Sequence, residues 1–465
     1  MARDLSRQSQ WMMRQAINRR RLLQAAGAAG AGVITAPYLA PAPLAAQDAM
    51  ADYAAAQIDW KMADGKEIVL GALEHPWIAA VEPVLPMFTE LTGITVNLQK
   101  SSETEYVTKL PVTLAGGSTT PDVFMVWSIG QAIEGGFLEP LDDYFANAET
   151  IDLAWYDEAD IFQGARDFTV WPADGMRYSV AITAEAQTLF MRKDLFEEAG
   201  IGAPETMDDL YAAASQLKTD EVAGMVMRAK STADAVDWTA GGFIFSYGGE
   251  IINEAGQAVF DSPEAVAAID MYGKILRDTG PAGIANYHWM ESLGDFMQGK
   301  AAIACDSSNF TLDIENPEKS TVVGNVLYGA LPGGGGNPGS PNMWFWLLGI
   351  NSKSENKDAA WLFTQWVTSK PTSLLVARNR AALPRTSAWE DAEFREEFGE
   401  QAAEAALANL EAANGAKFTR AWFNPKWPQV GDALAIAINE VVVGSKDAQT
   451  ALSEAAATAN EELTS

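Results

Sequence analysis

Apolar positions along the chain follow two alternating rhythms. EIVLGAL (67–73) is a near-continuous apolar run, the pattern of a parallel strand covered on both faces. Behind it Trp77, Val81, Val84, Leu85, Phe88 and Leu91 recur at helical spacing. Gly93 predicts the helix stop, and ITVNL (94–98) and DVFMV (122–126) predict the next strands. Strand, helix and strand in such close succession make a βαβ unit with a right-handed crossover. The rhythm restarts at AEAQTLFMRKDLFEEAG (184–200), where Glu185 heads an apolar run and a short amphipathic helix follows. Thr206 and Asp209 predict a capping box for a helix through Leu217. Ser262 and Pro263 open another, with Val266, Ile269, Tyr272 and Leu276 on one face. AAIAC (301–305) and WFWLLGI (344–350) predict strands on either side of the glycine-rich LPGGGGNPGSPN (331–342). A helix carrying Trp361, Leu362, Gln365 and Trp366 comes next, then an Ala-rich helical region after Pro425 and Pro428.

Ligands of open α/β sheets gather beyond the carboxyl ends of the strands. Glu74 and His75 follow the first predicted strand, Glu103 follows the second and Trp127 the third. Three loops therefore bring carboxylates, an imidazole and an indole to one edge.

The length, 465 residues, exceeds one ordinary domain and predicts two lobes. A formal net charge of -30 leaves no basic footprint for nucleic acid. It also repels anionic lipid and phosphate surfaces. The N-terminus reads as an export signal: Arg19, Arg20 and Arg21 precede a charge-free run from Leu22 to Ala46, with small residues at its end. NRRRLL (18–23) resembles the twin-arginine signal. Cleavage is expected near residues 42–46 and would remove six Arg and one Asp, leaving 26 basic against 61 acidic residues. A membrane anchor is the competing reading, opposed by weak hydrophobicity and three prolines. Cys305 is the lone cysteine and has no internal disulfide partner. With two histidines far apart, His75 and His288, no metal site and no cofactor are expected. Gly333–Gly336 lack the Gly-Lys-Ser/Thr of a phosphate loop and read as a link.

The order of short motifs carries a resemblance. TGITVN (92–97), TPDVFMV (120–126), GFLEPLDDY (136–144), the 184–210 stretch, SYGGEIIN (246–253), FMQGKAAI (296–303), ALPGG (330–334), LLGINSKS (347–354) and AALPRTS (381–387) follow one another. In that order the chain resembles the family-1 extracellular solute-binding proteins of ABC importers, a carbohydrate-binding group that includes the maltose-binding protein. The resemblance spans essentially the whole exported body. It departs at Met191, where the family usually has Tyr, and at Met207, where it usually has Trp.

The resemblance implies an α/β two-lobed periplasmic binding protein fold (type II) with a hinge and an interlobe ligand cleft. It implies a first lobe over 47–182, a second over 183–324, a return to the first over 325–386 and a C-terminal helical segment over 387–465, mainly on the second lobe. Glu185 would stand where the chain crosses between lobes, matching a Glu-Ala pair whose Glu accepts sugar hydroxyls in the maltose-binding protein. Trp346 matches a position that often carries an aromatic. Asp306 and Asn309 follow a strand after which relatives place ligand residues, and Arg385 follows the return. The implied partners are a carbohydrate or polyol and a membrane permease. The implied state is a periplasmic monomer.

The chemistry of these residues agrees. Carboxylates satisfy hydroxyls with charge-assisted hydrogen bonds, and indole faces cover C–H patches. The chain has 15 Trp, of which Trp127, Trp238 and Trp346 are cleft candidates with core packing as the competing reading. Trp422 and Trp427 are further candidates from the C-terminal segment. The alternative ligand is a cation such as a polyamine, which also suits carboxylates and indoles. An exported glycoside hydrolase is the competing class. No nucleophile elbow or Ser–His–Asp order stands out, and catalysis is not expected.

Overall fold

The structure, a computed structural model, describes residues 43–465. The basic export segment lies outside the described residues, apart from Pro43–Ala46 at the start of helix Pro43–Ala55. Two sheets flanked by helices form the frame. The first contains β1 (Glu67–Leu73), β2 (Thr95–Ser101), β3 (Val123–Val126), β4 (Val180–Ala181) and β10 (Leu347–Ile350), in the order β2-β1-β3-β10-β4. The second contains β5 (Glu185–Arg192), β6 (Ala223–Val226), β7 (Ala301–Ser307) and β8 (Val326–Gly329), in the order β6-β7-β5-β8. β9 (Met343–Trp344) also pairs with β5.

β1 lies parallel to both neighbours, with Leu70 opposite Leu98 and Val123. That double coverage is why β1 reads as a continuous apolar run, whereas β2, at the sheet edge, alternates. The helix expected behind β1 is broken into Pro76–Val81, a 3₁₀ turn Glu82–Val84, and Leu85–Thr92. Pro83 and Pro86 remove the amide donors that a continuous helix would need there. Gly93 then ends it in the left-handed conformation, φ 76°. In the second lobe the Thr206–Asp209 capping box and the Ser262 cap form as the sequence predicts.

WFWLLGI is not one strand. Met343–Trp344 pairs with β5 in the second lobe, and Leu347–Ile350 pairs with β3 and β4 in the first. The run is uniformly apolar because both ends are buried, in different lobes. Phe345 and Trp346 make the crossing, alongside the crossing from β4 to β5. The two are hydrogen-bonded: the Ile182 amide donates to the Trp346 carbonyl at 2.8 Å, and the Trp346 amide donates to Thr183 Oγ1 at 3.0 Å. The return to the first sheet, expected from residue 325, comes later, because β8 is still paired with β5. Helices Trp427–Val443 and Ala448–Thr464 pack on each other and on Pro263–Thr279 of the second lobe.

Among the described residues no helix is long and apolar enough to cross a membrane. No cluster among them has the donors to hold a metal ion.

Candidate functional site

The crossing strands floor a cavity of about 580 Å³ including its open mouth. Loops after strands β1, β2, β3, β6 and β7 surround it. Seven of the ten residues expected at the site line it: Glu74, His75, Glu103, Trp127, Glu185, Trp238 and Trp346.

Glu185 is the first residue of β5 and is 5% exposed. Ser307 Oγ, at the end of β7, donates to its Oε2 at 2.6 Å, and Thr183 Oγ1 donates to Oε1 at 3.0 Å. His75 Nε2 stands 3.3 Å from Oε1. The other imidazole nitrogen, Nδ1, accepts the Trp77 amide at 3.1 Å and so caps helix Pro76–Val81. With Nδ1 an acceptor, the ring proton sits on Nε2, facing Glu185. Burial raises the Glu185 carboxyl, but His75, Ser307 and Thr183 outweigh it and hold it below its ordinary value. The floor of the cavity is thus a fixed carboxylate anion.

Indoles stand around it. Trp344 is directly opposite Glu185 in the β5–β9 pair, and so lies on the same face. Trp346 follows two residues later, with ring centroids 5.3 Å apart. Trp127 packs against both, at 5.8 and 6.2 Å, and Trp346 meets His75 edge-on at 5.6 Å. Trp238, Trp289 and Trp422 line the cavity as well, with Phe310 stacked on Trp289 at 5.1 Å. Trp427 is buried beneath Trp422, at 4.4 Å.

Arg228, Asp234 and Ser307 are polar residues of the lining that the sequence reading did not single out. Arg228 forms a two-pronged pair with Asp306, Nε–Oδ2 3.0 Å and Nη2–Oδ1 2.6 Å, and lies over the Trp238 ring at 5.1 Å. Glu103 accepts the Trp289 indole N–H at 3.0 Å, joining the first lobe to the second. Burial raises the Glu103 carboxyl above its ordinary value, against the pull of His288 and Arg228.

Three expected residues stand elsewhere. Asp306 is not in the lining: neighbouring residues of a strand face opposite ways, so Ser307 reaches Glu185 while Asp306 serves Arg228 from behind. Asn309 accepts the Ala382 amide at 3.1 Å, fixing the segment beside the crossings. Arg385 is 1% exposed, and its donors are taken by the carbonyls of Thr368, Asp157 and Tyr156 and by Asp160. These bonds take four of its five N–H donors and hold the first lobe together. Cys305 is buried, accepts from Gln187 Nε2 at 3.3 Å, and burial pushes its thiol up, which leaves it unreactive.

The chain as a whole has counterparts among known proteins. An erythritol/L-threitol-binding protein of Mycolicibacterium smegmatis is 30% identical over 400 residues, 79% of this chain and 80% of that protein. The solved structure of an ABC transporter solute-binding protein of Agrobacterium radiobacter, in complex with ribitol, superposes with a TM-score of 0.78 at 26% identity, covering 86% of this chain and 99% of that one. A solute-binding protein of Agrobacterium vitis with bound D-mannitol gives 0.75 at 25% identity, covering 86% and 98%. Residues 71–372 match the model of the bacterial extracellular solute-binding proteins. The chain belongs to that family.

Proposed function

We propose that this protein captures a polyol or sugar in the cleft between its lobes and delivers it to the permease of an ABC importer. The observation that carries the reading is the Glu185 carboxylate, ionised and fixed at the cavity floor within a ring of indoles. Ligand hydroxyls can donate to the carboxylate as they would to water, while indoles shield the C–H faces. The relatives named for erythritol, threitol, ribitol and mannitol support the ligand class. Glu185, Trp127, Trp238, Trp346, Glu74, His75 and Glu103 are the proposed contacts. Closure of the lobes would be driven by tighter binding in the closed form. Export by the N-terminal signal and function as a periplasmic monomer complete the reading.

The surplus of carboxylates favours a second reading. Glu74, Glu103, Glu185 and Asp234 line the cavity with Arg228 the lone guanidinium, itself paired. A cationic ligand would fit that field. A thermal-shift screen separates the two: ligand at a hundred times its Kd stabilises by about 2.7 kcal/mol. A shift with erythritol, ribitol, mannitol or maltose that is insensitive to salt supports the first reading. A shift with spermidine alone, weakening with salt, replaces it with the second.

A further inference from the structure

The chain has two histidines, and they are held in the same arrangement, His75 in the cavity lining and His288 behind it, against the lining residues Asp234 and Trp289. His75 caps a first-lobe helix through Nδ1 and turns Nε2 to Glu185. His288 caps the second-lobe helix Trp289–Met297: its Nδ1 accepts the Trp289 amide at 2.8 Å, and its Nε2 stands 3.6 Å from Asp234 Oδ2. The acceptor role of Nδ1 again leaves the proton on Nε2, facing a carboxylate. Asp234 is 9% and His288 6% exposed. The difference between the pairs lies in their completion. Glu185 has Ser307 and Thr183 as further donors, whereas Asp234 Oδ2 and His288 Nε2 meet no partner at full hydrogen-bond distance, although His288 and Thr232 are near enough to offset burial and hold the Asp234 carboxyl down, to about 2. Asp234 lines the cavity. A buried carboxylate left short of donors at a ligand cavity is an acceptor awaiting one.

We infer that Asp234 is a second carboxylate anchor, accepting a ligand hydroxyl from the second lobe as Glu185 does at the floor, and that His288 is its positioning residue. The Trp289 side chain donates to Glu103 of the first lobe while its backbone amide caps on His288. Docking of the lobes through Trp289 therefore fixes the helix end that aims His288 at Asp234. Two anchors suit a ligand with hydroxyls along its length better than one with a single polar end. The inference rests on the polyol-or-sugar reading.

The test is calorimetric titration of the full chain with erythritol, ribitol and mannitol, using the unsubstituted protein, Asp234→Asn, His288→Asn and the double variant. Asn keeps the helix cap at 288 but does not extend to Asp234. Asp234→Asn is expected to lower affinity for the best ligand by about 10- to 100-fold, the range for a hydrogen bond to a charged group. His288→Asn is expected to lower it by roughly 5-fold, and the double variant to be no weaker than Asp234→Asn alone, since the two act as one unit. Unchanged affinity in Asp234→Asn overturns the anchor. A His288→Asn variant with lower Tm but unchanged affinity, or losses that multiply in the double variant, overturns the positioning role. If the unsubstituted protein binds none of these polyols or a panel of sugars, the functional reading fails first and the anchor with it. If the unsubstituted protein binds and only the variants behave otherwise, the anchor alone falls.

Discussion

Two buried carboxylates, Glu185 and Asp237, are opposite in character. Glu185, at the lobe crossing, is met by two hydroxyls and an imidazole. Asp237, in the first turn of helix Val236–Ser246, is fully buried with neither oxygen partnered, packed under Gly431. Burial raises the Asp237 carboxyl well above its ordinary value, and Asp432 and Asp234 add to the rise. Burial pushes Glu185 the same way, and its partners reverse the outcome. Burial alone therefore does not identify a binding carboxylate. What identifies it is the set of groups that keep it charged beside a cavity.

Glu185→Gln tests the charged member. It keeps the shape and removes the anion, so affinity for the bound polyol or sugar should fall by roughly 100-fold, about 2.7 kcal/mol, at the upper range for charged hydrogen bonds. Titration calorimetry reads it. A loss under about 3-fold would reduce Glu185 to a structural residue like its buried counterpart.

Asp237→Asn tests the unpartnered one, and the expected sign is opposite. A carboxyl whose folded value is raised contributes stability that is fully present below its ordinary range and lost as pH rises through the raised value. Glu185, held low, contributes stability present above the ordinary range and lost as pH falls through its depressed value. At pH 7–8 Asp237→Asn should raise stability, because the amide stays polar but does not titrate, and the carboxyl costs up to about 1.4 kcal/mol for each pH unit between its ordinary and its raised value. It should also flatten the decline of the Tm profile as pH rises above the ordinary carboxyl range, with affinity unchanged. A Tm that falls at every pH would mean that Asp237 has a partner which the amide cannot replace.

The sequence made one side of this comparison legible. Glu185 heads an apolar run at a motif boundary, and Glu74, His75, Glu103 and Trp127 follow strands that periodicity predicts. Arg228 and Asp234 escaped because β6 is only four residues, AGMV, too short and too mixed to predict. Without that strand, the rule that ligands gather beyond strand ends had nothing to act on. Ser307 stood beside the expected Asp306 in the segment after 301–305, but the strand continues through both, and its alternation turns Ser307 rather than Asp306 toward Glu185. Arg385 and Asp306 were misplaced because a charged residue near a crossing serves whichever counter-charge the fold brings to it. Asp160 and Arg228 are distant in sequence. Trp344 carried a usable signal, since its two-residue spacing from Trp346 on extended chain puts both on one side.

The smallest expected effect separates two tryptophans that read alike. Trp346 faces the cavity among Trp127, Trp344 and His75. Trp361 is buried in the first lobe, stacked on Tyr144 at 5.0 Å, with its indole N–H donated to the Thr150 carbonyl at 2.9 Å. Phe keeps an apolar ring but loses area and the indole donor. At 346 the change should cost a few-fold in affinity, about 1 kcal/mol of aromatic contact, with Tm nearly unmoved. At 361 it removes one of the two donors to the Thr150 carbonyl, Gln365 Nε2 remaining, and opens a gap beside Tyr144, so stability should fall by about 1–3 kcal/mol, chiefly from the gap, with affinity unmoved. Ligand titration beside thermal melts of the two variants reads both axes. If Trp346→Phe moves only Tm, its indole is core in the same sense as Trp361, and the aromatic wall of the cleft must be carried by Trp127, Trp238 and Trp344.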